Sequence, residues 1–198
     1  MAQSAQHENR KYTYADYLTW PEDERWELID GVPYNMAPAP TPRHQIMLAA
    51  LIAQIWNFLK GKPCQVFPAP FDVRFTERDA RAEDVVTVVQ PDISVVCDPK
   101  KIDERGCKGA PDFIIEIVSP KSVQRDLIEK AALYEKNGVR EYWVIHPIDK
   151  ILWVFLLDEK TNRFGALQTY ALEGKRAVAA LPGLEIDLDE VIRLPVQK

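Results

Sequence analysis

The sequence predicts an α/β (α+β) fold built on a buried β-sheet, and three observations carry that prediction. Residues 111–147, PDFIIEIVSPKSVQRDLIEKAALYEKNGVREYWVIHP, read as strand, helix and strand in unbroken succession. A second short apolar run, PDISVVC at 91–97, has the length of a buried strand. The composition, 46% hydrophobic and 28% charged, is that of a globular chain, and 198 residues are enough to enclose a real core in one domain.

Within the strand–helix–strand unit, Phe113, Ile114, Ile115, Ile117 and Val118 form the run expected of a strand covered on both faces. Ser122 can cap a helix on which Val123, Leu127, Ala131 and Tyr134 recur at helical spacing, and Asn137 and Gly138 stop it. Tyr142 to Ile145 make the next strand. A helix joining two such strands is a right-handed crossover, so this part of the sheet is predicted to be parallel.

The other elements follow in order. Residues 1–11 are expected to be a flexible N-terminus, leaving one domain over 12–193. Thr13 and Asp16 have capping-box spacing and open a short helix through Trp20. Asp30 and Gly31 join two strands, 25–29 and 32–36, as a two-residue hairpin turn. Thr41 and Pro42 start a helix to Lys60, with Ile46, Ala49, Ile52, Ala53, Ile55, Trp56 and Leu59 as its apolar face. Two strands, 64–67 and 71–75, flank a proline-rich break. Residues 76–90 and 98–110 read as exposed polar loops. After the central unit come a strand over 151–157, two alternating segments, LQTYAL and LEIDL, and a helical turn over 189–193.

Composition also excludes function classes. No apolar run approaches the ~20 residues of a membrane span, and the N-terminus lacks an apolar signal-peptide core. Cys64, Cys97 and Cys107 lack CxxC spacing, so free thiols in a reducing cytoplasm are expected. The net charge of −5 argues against broad nonspecific binding of nucleic acid. Its distribution is uneven. Residues 1–35 carry 3 basic and 7 acidic groups, a net of −4, whereas residues 99–140 carry 9 and 7, a net of +2.

Two carboxylates stand at apolar strands, Asp92 at the start of one and Glu116 inside another. An unpaired charge in a buried strand costs several kcal/mol, on the order expected for desolvated ions. Two such groups on neighbouring strands raise each other's pKa or bind a cation. The plain alternative has Asp92 capping a turn and Glu116 pairing with an Arg or Lys. Asp126, Lys130 and Tyr134 lie at i, i+4 and i+8 on the helix and form one stripe. They make either an exposed ion pair or a group from which Lys130 reaches the carboxylates and stabilises charge on a phosphate. Glu27, in the strand WELID, could add an oxygen ligand. His44, in a first helical turn, could face the same cleft or be an ordinary surface histidine.

Taken together, the ordered blocks WELIDG (26–31), HQ (44–45), PDISVV (91–96), EIVSP (116–120), the D-x-x-x-K-x-x-x-Y stripe (126–134) and NGVREYWVIHP (137–147) resemble the Uma-two family. That family is regarded as a group of endonucleases with the restriction-endonuclease-like, PD-(D/E)XK fold. The resemblance covers roughly Tyr12 to Arg193. It implies a mixed β-sheet core flanked by helices, DNA as substrate, Mg²⁺ or Mn²⁺ as cofactor, and a possible homodimer that cuts both strands. Asp92 and Glu116 would be the metal ligands, with the backbone carbonyl of Ile117 a third, and Glu27 would match the acidic residue from the N-terminal part. The lysine that the general fold pattern places two residues after Glu116 is Val118 here. The resemblance moves that role to Lys130 on the following helix, with Lys121 a nearer alternative in sequence. A catalytically silent module on the same fold is the competing reading.

Overall fold

The computed structural model of the protein describes residues 10–21, 23–36, 39–76, 79–119 and 122–193. The expected flexible terminus, through residue 9, and Lys121 lie outside them. The chain runs α1 (Tyr14–Tyr17), β1 (Trp26–Ile29), β2 (Val32–Asn35), α2 (Pro42–Leu59), β3 (Gln65–Pro68), β4 (Val73–Arg74), β5 (Val88–Val89), β6 (Ile93–Val96), β7 (Ile102–Asp103), β8 (Gly106–Lys108) and β9 (Phe113–Ile117). A π-helical turn, Arg125–Lys130, then leads straight into α3 (Ala131–Lys136). The remainder is β10 (Glu141–His146), β11 (Ile151–Asp158), β12 (Arg163–Phe164), β13 (Gln168–Ala171), β14 (Lys175–Ala177), β15 (Glu185–Asp187) and α4 (Leu188–Val191).

Several elements arise for the local reasons expected. Thr13 and Asp16 form a reciprocal capping box at α1. Asp30 and Gly31 take φ of 48° and 82°, the left-handed turn that lets β1 and β2 close as a hairpin. Thr41 caps α2, its hydroxyl accepting from the His44 amide, with Pro42 in the first turn.

The strands form two sheets and a separate β14–β15 hairpin. The larger sheet is ordered β12-β11-β10-β9-β6-β3, with β13 also on β11. Its β9–β10 pair is parallel, as the crossover requires, and the pairs β6–β9, β3–β6 and β10–β11 are antiparallel, so the sheet is mixed. Its two faces are both buried. On one, Phe113, Ile115, Ile117, Trp143 and Ile145 meet Met47, Leu51, Ile55 and Leu59 of α2. On the other, Ile114, Val118, Tyr142 and Val144 meet Ala131, Leu133 and Tyr134. Period-2 alternation therefore assigns odd residues of β9 to α2 and even ones, including Glu116, to α3.

The smaller sheet, ordered β2-β1-β5-β4-β8-β7, corrects the reading of 76–90 and 98–110 as exposed loops. The first holds β5 and the second β7 and β8, and Val88 and Val89 are fully buried between β1 and β4. Two- or three-residue strands have too little length for alternation to show, so only pairing reveals them. The apolar face of α2 is also corrected. Met47 and Leu51 join Ile55 and Leu59 in the core, whereas Ala49 and Ala53 face outward and Trp56 is 57% exposed. The segment is apolar on nearly every side, and periodicity alone does not choose among its stripes.

Cys64 and Cys97 are joined in a disulfide, against the expectation of free thiols. The register that pairs Gln65 with Val96 brings the cysteines together as the next cross-strand neighbours. A separation of 33 residues offered no hint of this. Cys107 is free and buried, and desolvation pushes its thiol up to about 12, which keeps it unreactive. Closing a loop of this size stabilises a fold by up to about 3–4 kcal/mol. Reduction should accordingly lower the melting temperature by several degrees, whereas a Cys64→Ser/Cys97→Ser double variant should melt identically with and without reductant. Equal melting of the oxidised and reduced wild type would sink that expectation.

Among the described residues no helix is long and apolar enough to cross a membrane.

Candidate active site

The antiparallel register of β6 and β9 pairs Ile93 with Ile115, and its continuation by one residue sets Asp92 opposite Glu116. Directly opposed residues on one face have Cβ atoms roughly 4.5–5.5 Å apart. A separation of 24 positions is thus closed by strand pairing. The Asp92 amide donates to Glu116 Oε2 at 3.3 Å, and the Ile117 amide donates to Asp92 Oδ2 at 2.8 Å. The two carboxylates are held at the strand ends where the larger sheet meets the smaller one.

From the α3 side, the stripe of Asp126, Lys130 and Tyr134 descends onto Glu116. It is buried, and the exposed-pair alternative is excluded: Lys130 is 4% exposed and Asp126 5%. Lys130 Nζ lies 2.8 Å from Glu116 Oε1, 2.9 Å from Glu27 Oε1 and 3.7 Å from Asp126 Oδ1. The Tyr134 hydroxyl donates to Glu116 Oε1 at 3.1 Å. Asp126 and Lys130 sit in the π-helical turn, a wider turn than an α-helix forms and one found often at functional sites. Tyr142 anchors it by donating its hydroxyl to the Asp126 carbonyl at 3.1 Å.

Glu27 arrives from β1 and is buried. It accepts from the Gln90 amide at 3.1 Å and from Arg125 Nη2 at 2.8 Å, besides pairing with Lys130. His44, from the first turn of α2, places Nε2 3.0 Å from Asp92 Oδ2, while its buried Nδ1 has no hydrogen-bond partner among the described residues. The structure therefore brings together Glu27, His44, Asp92, Glu116, Asp126, Lys130 and Tyr134.

Two residues that sequence reasoning passed over belong to the same assembly. Arg125 reaches Glu27 and lies with its guanidinium carbon 4.3 Å from the centre of the Tyr34 ring. Gln90 holds Glu27 through its backbone, while its side chain bonds Tyr17, Asp72 and Arg25. Its position just ahead of Pro91 and Asp92 was the available signal, but a glutamine has no charge to balance and invites no question when buried in a sequence.

The charges do not balance. Three carboxylates, Glu27, Glu116 and Asp126, converge on one buried ammonium, with Arg125 on Glu27 as the second cation. A fourth, Asp92, stands beside Glu116 with His44 as its partner. Burial raises the Glu116 carboxyl from its ordinary 4.5 to about 8. Lys130 opposes that rise, while Asp92, Asp126 and Glu27 add to it. Burial also raises Asp126. Glu27 is desolvated too, yet Lys130 and Arg125 together bring it below its ordinary value. The surrounding carboxylates hold the Lys130 ammonium well above its own, outweighing desolvation.

A consequence can be measured in metal-free protein. The folded chain holds the Glu116 proton more tightly than the unfolded chain does. The stability linked to this proton is complete below about pH 4.5 and is lost as the pH rises towards and through about 8. Glu116→Gln should therefore gain on wild type in denaturant melts as the pH is raised from 5 to 8. A pH-independent difference between the two would contradict the assignment.

Comparison with known proteins agrees with this architecture. A curated but uncharacterized protein of Synechocystis sp. is 24% identical over 137 residues, 68% of each chain. The crystal structure of a nuclease assigned to DUF820, described as putative, from Anabaena variabilis superposes with a TM-score of 0.70 at 20% identity. The match covers 91% of this chain and 97% of that one, so the fold is shared. The family model described as "Putative restriction endonuclease" matches residues 14–189, nearly the whole chain, and the protein belongs to that family, Uma2.

Proposed function

We propose that the protein is a divalent-metal-dependent endonuclease that hydrolyses DNA phosphodiester bonds at the Asp92–Glu116 pair. The observation that carries this reading is the crowding of acids around Glu116: a carboxyl that burial raises to about 8, with Asp92, Asp126 and Glu27 adding to the rise against one lysine, is a site short of positive charge. The donor chemistry fits a hard cation, since the groups at hand are carboxylate oxygens, to which the family resemblance adds the backbone carbonyl of Ile117. Among the described residues no group of three or more His, Cys, Asp or Glu is placed to hold a metal ion. A Mg²⁺ site does not need one, because Mg²⁺ keeps several waters and uses one or two carboxylates beside substrate phosphates. Held there, Mg²⁺ or Mn²⁺ would supply Lewis-acid polarisation of the phosphate.

The remaining roles belong to the chain itself. Asp92, fixed at Oδ2 by the Ile117 amide and His44, keeps its side chain 19% exposed and so open to solvent. Lys130 supplies a positive charge beside the Glu116 oxygens, placed to stabilise charge that develops on the phosphate. Glu27, Asp126 and Tyr134 hold the Lys130–Glu116 pair in register and do not face bulk water. DNA as the substrate is supported by the family description and by this arrangement of groups.

The deciding experiment is cleavage of supercoiled plasmid and of oligonucleotides with Mg²⁺, with Mn²⁺, and with chelator. Metal-dependent cleavage that Asp92→Asn removes is expected. Failure of the wild type to cleave any nucleic acid under these conditions ends the nuclease reading. A catalytically silent module on the nuclease fold is favoured by one observation, the complete engagement of the Lys130 ammonium by Glu27 and Glu116. That reading expects neither cleavage nor a calorimetric signal with divalent cations.

A further inference from the structure

The basic excess of residues 99–140 is only partly used by the carboxylate site. Part of it lies on the β7–β8 hairpin, which is pinned to β4. The Cys107 amide donates to the Asp72 carbonyl at 2.8 Å and the Gly109 amide to the Arg74 carbonyl at 2.8 Å. Gly106, at φ +120°, makes the approach possible, because a Cβ there would stand 2.2 Å from the Asp72 carbonyl oxygen. The resulting register aligns Leu28, Val88, Arg74 and Lys108 in one row across the small sheet. Side chains of one row share a face. Tyr14 confirms which face it is, its ring centre 5.3 Å from the Arg74 guanidinium carbon. Glu27, next to Leu28, points to the other side. Arg74 and Lys108 are therefore separated from the carboxylates by the sheet itself.

On this face lies a cavity of about 230 Å³, lined by Tyr14, Arg74, Asp103, Arg105, Lys108 and Val85 among others. Three cations and one carboxylate stand in its wall. Arg74 is 3% exposed and bonds Asp103 through Nη2, yet its buried Nε–H has no hydrogen-bond partner among the described residues. A guanidinium carries five donors in a planar fork that matches phosphate oxygens, and an unmade bond at a buried donor is costly. The volume falls below the roughly 300–1,000 Å³ of sites for drug-sized ligands, which suits a single oxyanion group.

We propose that this cavity is a phosphate-binding site, formed by Arg74, Arg105 and Lys108 on the face of the small sheet opposite the carboxylates. It takes one phosphate group, borne by a polynucleotide backbone or by a small phosphorylated molecule. The site does not depend on the nuclease reading.

The test titrates inorganic phosphate into the full chain without divalent metal, with chloride at matched ionic strength as control, and follows amide NMR signals. Saturable shifts confined to residues 73–75 and 105–109 are expected. Arg105→Glu, at an exposed position, should weaken binding roughly tenfold or more, as loss of a charge-assisted contact does. Asp92→Asn should leave phosphate binding unchanged even if it removes cleavage, which separates failure of this site from failure of the nuclease reading. Arg74→Gln is a second variant, and Arg105→Glu decides alone if the former does not fold. Non-saturating shifts, equal shifts with chloride, or undiminished binding in Arg105→Glu would overturn the proposal. In chelator, a loss of oligonucleotide affinity in Arg105→Glu assigns the site to polynucleotide phosphate. Weakened inorganic phosphate binding with unchanged oligonucleotide affinity assigns it to a small phosphorylated molecule.

Discussion

Lys130→Met should destabilise the protein by about 3–5 kcal/mol, the range for removing one partner from a buried ion pair. The ammonium lies within 4 Å of Glu27, Glu116 and Asp126, all buried, and its loss leaves them with Arg125 as the nearest compensation. Methionine fills similar volume, so the loss is electrostatic and not a cavity effect. At ~2–4 °C per kcal/mol for a domain of this size, the melting temperature should fall by roughly 6–20 °C. Two further readouts separate this cause from generic damage. The deficit should shrink as the pH falls and the orphaned carboxyls take up protons. In a double-mutant cycle, Glu116→Gln should also recover part of it, since a neutral amide no longer needs the ammonium. If Lys130→Met is as stable as wild type at pH 7, the buried network described above is not what holds α3 to β9.

Asp92→Asn should remove metal-dependent cleavage by about 100-fold or more, the scale of losing a major electrostatic contributor at a phosphoryl-transfer site. The fold should barely notice. An asparagine keeps an acceptor for the Ile117 amide, and Asp92 sits at the rim, not inside the core. Its stability is expected within about 1 kcal/mol of wild type, as for most mild substitutions at partly exposed positions. Cleavage of supercoiled plasmid, run beside denaturant melts of the same preparations, gives both numbers. Wild-type rates in Asp92→Asn would exclude Asp92 from the reaction. Parallel loss of stability and activity would reduce its role to folding.

Much of this site was legible because burial of charge is itself a signal. Glu116 interrupts FIIEIV, and an apolar run long enough to be a strand leaves no place for a carboxylate unless something satisfies it. The stripe of Asp126, Lys130 and Tyr134 was legible for a similar reason, since helical spacing puts all three on one side. Which side was not legible. An Asp–Lys pair four residues apart has the same sequence on a solvated helix as on a buried one, and only the packing of α3 against β9 distinguishes them. The π-helical turn was invisible too, because π-turns have no compositional signature comparable to a capping box.

The disulfide and the small sheet mark the same boundary. Cys64 and Cys97, or Val88 and Arg74, become neighbours through registers set by strands remote in sequence, and two-residue strands carry no periodicity of their own. Local chemistry in the sequence determined the Thr13 and Thr41 caps, the Asp30-Gly31 hairpin, the β9–α3–β10 crossover and the identity of the carboxylates, because each is written in one contiguous stretch of chain. The Ser122 cap is the exception, its hydroxyl turned back to Ser119. Tertiary structure alone decided that Asp92 faces Glu116, that Lys130 joins Glu116 to Glu27, and that Arg74 lies on the other side of the small sheet. Each of those depends on strand pairing and on the face of an element, which long-range packing selects.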